Sequence, residues 1–189
     1  AFDAPAMIHD GKVYIGSLDG VLHAVDAATG KKVWSAETDD KIMGGANVLP
    51  ADAKGRTDRV LVGSYDFSLY CYDAKTGKKL WSYETENYIN ATPAISEGKA
   101  MFGGCDALIH VVDVVKGRAR QQVDAGAYIS NAAAAIGQRV YVGNYDGNFL
   151  CADIRTGKPR WIYAGDGDDP FFSAPAITPE AVVFGGRDG

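Results

Sequence analysis

The stretch VDAATGKKVW, residues 25–34, returns as YDAKTGKKLW at 72–81 and as ADIRTGKPRW at 152–161. A decamer written three times in a chain of 189 residues is an internal repeat, and its period decides the fold. The Asp residues that open these turns, Asp26, Asp73, Asp113 and Asp153, stand 47, 40 and 40 positions apart. A Gly follows each by four, at Gly30, Gly77, Gly117 and Gly157. A Trp follows by eight at Trp34, Trp81 and Trp161, where the third copy has Gln121. A second anchor lies upstream: GSLD (16–19), GSYD (63–66), GGCD (103–106), GNYD (143–146) and GGRD (185–188). Two anchors in step give four full units and the start of a fifth.

One unit reads as consecutive strands. KVYIGS (12–17) and VLHAVD (21–26) are β-branched and alternating, with the turn LDG (18–20) between them. The Asp-Gly pair tolerates the positive φ of a tight hairpin. DAATGK is a second tight turn: its Asp can accept from nearby backbone N–H groups and its Gly can turn left-handed. KKVWSAE (31–37) is the next strand, and short apolar stretches such as APAMI (4–8), ATPAI (91–95) and SAPAI (173–177) supply the first. Four short antiparallel strands at a period near forty predict an all-β fold, a β-propeller of four-stranded antiparallel blades. The expected blades are 1–43, 44–89, 90–128 and 129–169, with a partial fifth over 170–189.

Composition narrows the function classes. Apolar residues make up 47% and charged residues 23%, an ordinary globular mix. A formal charge of −5 argues against a nucleic-acid partner or an anionic membrane surface. No apolar run is long enough to span a bilayer as a helix, and no signal peptide is visible.

The turn-and-strand segment resembles the tryptophan-docking motif of the PQQ-type, eight-bladed β-propellers, Ala-x-Asp-x-x-Thr-Gly-Lys-x-x-Trp. That bacterial family includes quinoprotein alcohol dehydrogenases, the outer-membrane assembly lipoprotein BamB and sensor domains of kinases. Ala24, Asp26, Thr29, Gly30, Lys31 and Trp34 match the motif in full. Asp73, Thr76, Gly77, Lys78 and Trp81 match with Cys71 at the Ala position, and Asp153, Thr156, Gly157, Lys158 and Trp161 match with Cys151 there. The third copy keeps Asp113 and Gly117 but has Val111, Lys116, Arg118 and Gln121. The resemblance implies that Trp34, Trp81 and Trp161 each clamp one blade to the next, and that Gln121 leaves one junction weaker. It also implies that four and a half blades are part of an eight-bladed ring in a longer chain. A complete chain of this length would be expected to close with a second copy as a homodimer.

Residues that could carry chemistry read mostly as structural. Cys71 and Cys151 share a repeat position with Ala24 and Val111, a small buried apolar slot, and Cys105 falls in a hairpin turn. His23 and His110 share a strand position with Tyr70 and Leu150, whereas His9 is expected to be exposed. The turn acids Asp19, Asp66, Asp106, Asp146 and Asp188 recur in every unit, which points to a role in the blade. Two segments do not repeat. GDGDDPFF (165–172) offers Asp166, Asp168 and Asp169 as weak calcium candidates, without EF-hand spacing, and Phe171–Phe172 as either a partner-binding pair or a strand start. ADAKGRTD (51–58) reads as a surface insertion.

No catalytic, cofactor-binding or metal-binding residue is assigned in this segment. The favoured function is a non-catalytic propeller, either a protein-interaction scaffold or a ligand-sensing domain, with protein partners or the rest of a longer chain. The alternative is part of a PQQ- and calcium-dependent quinoprotein dehydrogenase whose cofactor site lies in other blades. As the resemblance describes such enzymes, PQQ stacks between a Trp and a disulfide of adjacent cysteines, and this sequence has no Cys-Cys pair and no spare Trp. By resemblance alone, the compartment is periplasmic or extracytoplasmic.

Overall fold

The computed structural model describes residues 1–52, 56–165 and 169–186. The chain divides into two compact units, Ala1–Thr92 and Pro93–Gly189. The first holds two four-stranded antiparallel sheets in simple chain order: β1 (Met7–His9), β2 (Lys12–Gly16), β3 (Val21–Asp26) and β4 (Lys32–Glu37), then β5 (Asn47–Leu49), β6 (Arg59–Gly63), β7 (Ser68–Asp73) and β8 (Lys79–Glu84). The second repeats the plan with β9 (Ala94–Ser96), β10 (Lys99–Gly103), β11 (Leu108–Asp113) and β12 (Arg118–Asp124), then β13 (Ala134–Ile136), β14 (Arg139–Gly143), β15 (Asn148–Asp153) and β16 (Lys158–Ala164). A two-stranded sheet follows, β17 (Ala176–Ile177) with β18 (Val182–Val183). Among the described residues no helix is long and apolar enough to cross a membrane.

In the second, third and fourth sheets the middle strands are buried on both faces, which is why they read as near-continuous apolar runs; in the first sheet they alternate. In each unit the two full sheets share one core. Tyr14, Leu22 and Trp34 of the first sheet meet Val60, Val62 and Tyr72 of the second. Met101, Val111 and Val123 of the third meet Val140, Leu150 and Ala152 of the fourth. Register explains the small slot. Ala24, Cys71, Val111 and Cys151 lie directly across from Trp34, Trp81, Gln121 and Trp161, so a small side chain leaves room for the large one. A β-bulge follows at the same place in each four-stranded sheet and pushes Val33, Leu80, Arg120 and Arg160 outward.

The glycine of the upstream anchor has a steric cause. A Cβ at Gly16, Gly63, Gly103 or Gly143 would overlap the side chain of Ile42, Ile89, Ile129 or Phe171, each arriving from the connection after that sheet; at Gly103 it would sit 2.5 Å from Ile129 Cβ. The same four residues donate backbone N–H bonds to Ser17, Ser64, Gly104 and Asn144 carbonyls at 3.0–3.2 Å. Phe171 is therefore the fourth copy of a repeated knob, 6% exposed, and belongs to no unique loop. This corrects its reading as one half of a partner-binding pair.

Candidate interaction surfaces at the loop ends

Each sheet has two ends. At the turn end, the β3–β4 type of turn bonds back to the β1–β2 type: Ala27 N–H donates to Gly11 O, Ala74 to Asp58, Val114 to Gly98 and Ile154 to Gln138. The motif Asp builds this turn. Asp26 Oδ1 accepts from Thr29 N–H (2.8 Å) and Thr29 O–H (2.6 Å), and Asp73, Asp113 and Asp153 accept the same backbone bond. Arg120 and Arg160, turned out by the bulge, reach Asp113 Oδ2 (2.7 Å) and Asp153 Oδ2 (2.5 Å). The Arg160 guanidinium and two backbone N–H groups hold the Asp153 carboxyl down at about 2.

Of the motif tryptophans, Trp34 closes this end in the first unit. Trp34 is buried, lies against Tyr14 and Tyr72, and donates Nε1–H to Ala74 O at 3.0 Å. Its ring covers Gly77, where a Cβ would come within 2.7 Å, so Gly77 serves both a positive φ of 72° and a close approach. Trp81 is half-buried opposite Cys71. Trp161 packs on Tyr141 and Phe149 of its own sheet and stays 40% exposed. Gln121 keeps the polar half of the clamp: its Nε2–H donates to Arg155 O at 3.0 Å, and its Oε1 approaches Gly157.

The other residues considered for chemistry are mostly committed. None of Cys71, Cys105 and Cys151 forms a disulfide among the described residues; Cys71 and Cys151 are buried, and burial pushes the Cys71 thiol up to about 12. His9 corrects the expectation of exposure: it is half-buried, with Nε2 2.8 Å from Asp58 Oδ2. Asp58 also accepts from Ala51 N–H at 2.5 Å, so the 51–58 insertion is tied to the first sheet by its last residue. Asp166, Asp168 and Asp188 lie outside the described residues; Asp169 is exposed.

At the loop end, the β2–β3 type of turn meets the connection to the next sheet. Two of its acids, Asp66 and Asp106, are used locally. Asp66 accepts from Asp39 N–H and Tyr70 O–H, both at 2.8 Å. Asp106 and His110 form a buried pair at 2.7 Å, with the imidazole stacked on Phe102. Burial pushes the Asp106 carboxyl up, but the bonds from His110 and Leu108 N–H outweigh it and hold the group below its usual range.

What remains open at the loop ends is aromatic. In the first unit Tyr65 and Tyr88 stack at 4.6 Å, Phe67 meets Tyr88 edge-on at 5.1 Å, and Lys41 Nζ sits 4.4 Å above the Tyr65 ring. Phe67 holds φ 71° and Ala107 holds φ 62° at a turn position that is Gly20 or Gly147 in the other two sheets, a backbone cost of about 1–2 kcal/mol each. In the second unit Tyr128, Tyr145 and Phe172 touch in series, at 6.4 and 5.2 Å, and are 54%, 42% and 43% exposed. Sequence reasoning missed this surface. The signal was present, since Tyr65 and Tyr145 share one repeat position.

For the quinone and calcium of the dehydrogenase alternative, the residues present do not fit. No two cysteines are adjacent, Trp34 is enclosed between tyrosines, and among the described residues no three of His, Cys, Asp and Glu converge.

Known proteins place this architecture. BamB from Moraxella catarrhalis superposes with a TM-score of 0.82 at 20% identity, over 99% of this chain and 59% of that one. The computationally designed Ika8 protein superposes with a TM-score of 0.81 at 20% identity, over 97% of this chain and 55% of that one. A short stretch is 52% identical over 48 residues to a 1-butanol dehydrogenase (cytochrome c) of Thauera butanivorans, 22% of this chain and 7% of that enzyme. The chain thus spans well under two thirds of these relatives. These likenesses identify the four-stranded sheets as β-propeller blades. Residues 18–183 match the family described as outer membrane protein assembly factor BamB, and the chain belongs to that family of PQQ-like propellers.

Proposed function

We propose that this chain is a non-catalytic propeller segment that holds protein partners, as an outer-membrane protein assembly factor would, in a periplasmic or other extracytoplasmic compartment. The observation that carries the reading is the contrast at the loop ends. Asp66, Asp106 and His110 are paired there, while the rings of Tyr88, Tyr128, Tyr145 and Phe172 are exposed. Aromatic side chains in contact with water are typical anchors of protein interfaces. The test is a photo-crosslinking residue at position 128 of the full-length protein in its host cell. Discrete protein adducts are expected; their absence, with the protein folded and exported, removes the reading.

The stretch shared with the butanol dehydrogenase favours a second reading, a segment of a PQQ- and calcium-dependent alcohol dehydrogenase whose cofactor is held elsewhere. Purified full-length protein given PQQ and calcium would then oxidise an alcohol with a dye acceptor. Absence of both bound quinone and turnover ends that alternative.

A further inference from the structure

The two units use one backbone arrangement at the loop end and fill it differently. Tyr65 N–H donates to Lys41 O, and Tyr145 N–H donates to Tyr128 O, each at 3.0 Å. Lys41 and Tyr128 are therefore equivalent residues, facing the equivalent rings of Tyr65 and Tyr145. In the first unit the ammonium of Lys41 covers the ring. In the second unit the equivalent partner is another ring, and the aromatic surface is extended by Phe172 and left open.

Charge says what the open surface suits. In the second unit every Lys and Arg among the described residues lies at the turn end, in the first half of β10, β12, β14 or β16 or in the adjoining turns. The loop end carries no described cation. Asp124, Asp146 and Asp169 stand exposed there. Ring faces are electron-rich and attract a cation, and surrounding carboxylates add to the attraction. We infer that the Tyr128–Tyr145–Phe172 surface receives Lys or Arg side chains of a protein partner, the external counterpart of Lys41. The inference rests on the scaffold reading and names the chemistry of the partner segment.

The test is calorimetric titration of the full-length protein with a nine-residue peptide alternating Arg and Gly, and with its Glu-Gly counterpart. The Arg peptide is expected to bind, more weakly as salt is raised. Tyr128→Ala and Tyr145→Ala should each weaken it about two- to fivefold, whereas Tyr145→Phe, which keeps the ring, should not. Unchanged melting curves would show that the Ala variants remain folded. Binding of the Arg peptide that ignores both Ala variants, or equal binding of the Glu peptide, overturns the inference. Failure here is separable from failure of the scaffold reading. Photo-crosslinks at position 128 with ring-independent peptide binding would leave the scaffold standing and remove the cation surface. Ring-dependent peptide binding without crosslinks would do the reverse.

Discussion

The junction between the first two sheets and the junction between the third and fourth share a backbone and differ in what closes them. In the first, Trp34 lies between Tyr14 and Tyr72, and Ala74 O accepts from both the indole (3.0 Å) and the Tyr14 hydroxyl (3.2 Å). In the second, Gln121 donates to Arg155 O, and the positions of Tyr14 and Tyr72 hold Met101 and Ala152. The groove beside Gln121, about 560 Å³, is lined by Lys99, Asp113, Arg120 and Arg155, where its counterpart of about 590 Å³ has Lys12, Asp58, Val33 and Lys75. Removal of the indole spares the hydrogen bond and gives up the apolar area. The comparison teaches that both junctions keep a donor aimed at a turn carbonyl, one position apart, and that the ring is an addition to it.

The largest expected effect comes from deleting that addition. Trp34→Ala should destabilise the first unit by about 3–5 kcal/mol, the range for truncating a buried Trp. Urea unfolding would check it. A loss below about 1 kcal/mol would mean that the ring does not carry the junction. The same substitution at Trp161, 40% exposed, should cost much less.

A change common to both junctions should not distinguish them. Gly103→Ala forces a methyl group against Ile129, with 2.5 Å available, and should cost about 1–3 kcal/mol through overpacking. Gly16→Ala, against Ile42, should cost a similar amount. A large difference would show that one connection can move aside and the other cannot.

These two cases also mark what the sequence could reveal. The four-strand plan, the turn Asp and the Trp were legible because each recurs with a fixed spacing, and local turn chemistry is written in adjacent residues. The function of the anchor glycine was not, because its partner Ile lies some 26 positions downstream in a connection with little pattern of its own. Phe171 hid for the same reason: an Ile position occupied by Phe beside a run of acids looks unique until the overlap with Gly143 is seen. The His9–Asp58 pair was illegible, since it joins an insertion to the first hairpin across 49 residues. The loop-end aromatics were visible as a repeat column, but exposure depends on which neighbouring side chains cover them.

Restoring the ring at the weaker junction should sharpen the comparison in the opposite direction. Gln121→Trp has the acceptor of Arg155 O nearby and Gly157 beneath it, as Trp34 has Gly77. Burying most of an indole in place of an amide should stabilise the second unit by about 1–2 kcal/mol, read as a higher melting temperature. No gain would mean that Met101 and Ala152 leave the ring too little to pack against.

The smallest effect separates the turns by their response to acid. Asp153 is held down at about 2 by Arg160 and by two backbone N–H groups; Asp26 is also held below its usual range, by Thr29 and without an arginine. A carboxylate whose folded value is depressed contributes stability that is fully present above its unfolded value, near 4, and is lost as pH falls toward the folded value. Asp153 should therefore add a slope of stability against pH between about 4 and 2. Asp153→Asn should flatten that slope while leaving the neutral-pH melting temperature only modestly lower, because the turn can still accept through the amide oxygen. Arg160→Gln should flatten it in part, since the backbone donors remain. Melting curves from pH 6 to 2 would decide: parallel curves for parent and Asp153→Asn would show that Arg160, 45% exposed, is screened by solvent and contributes position but not charge.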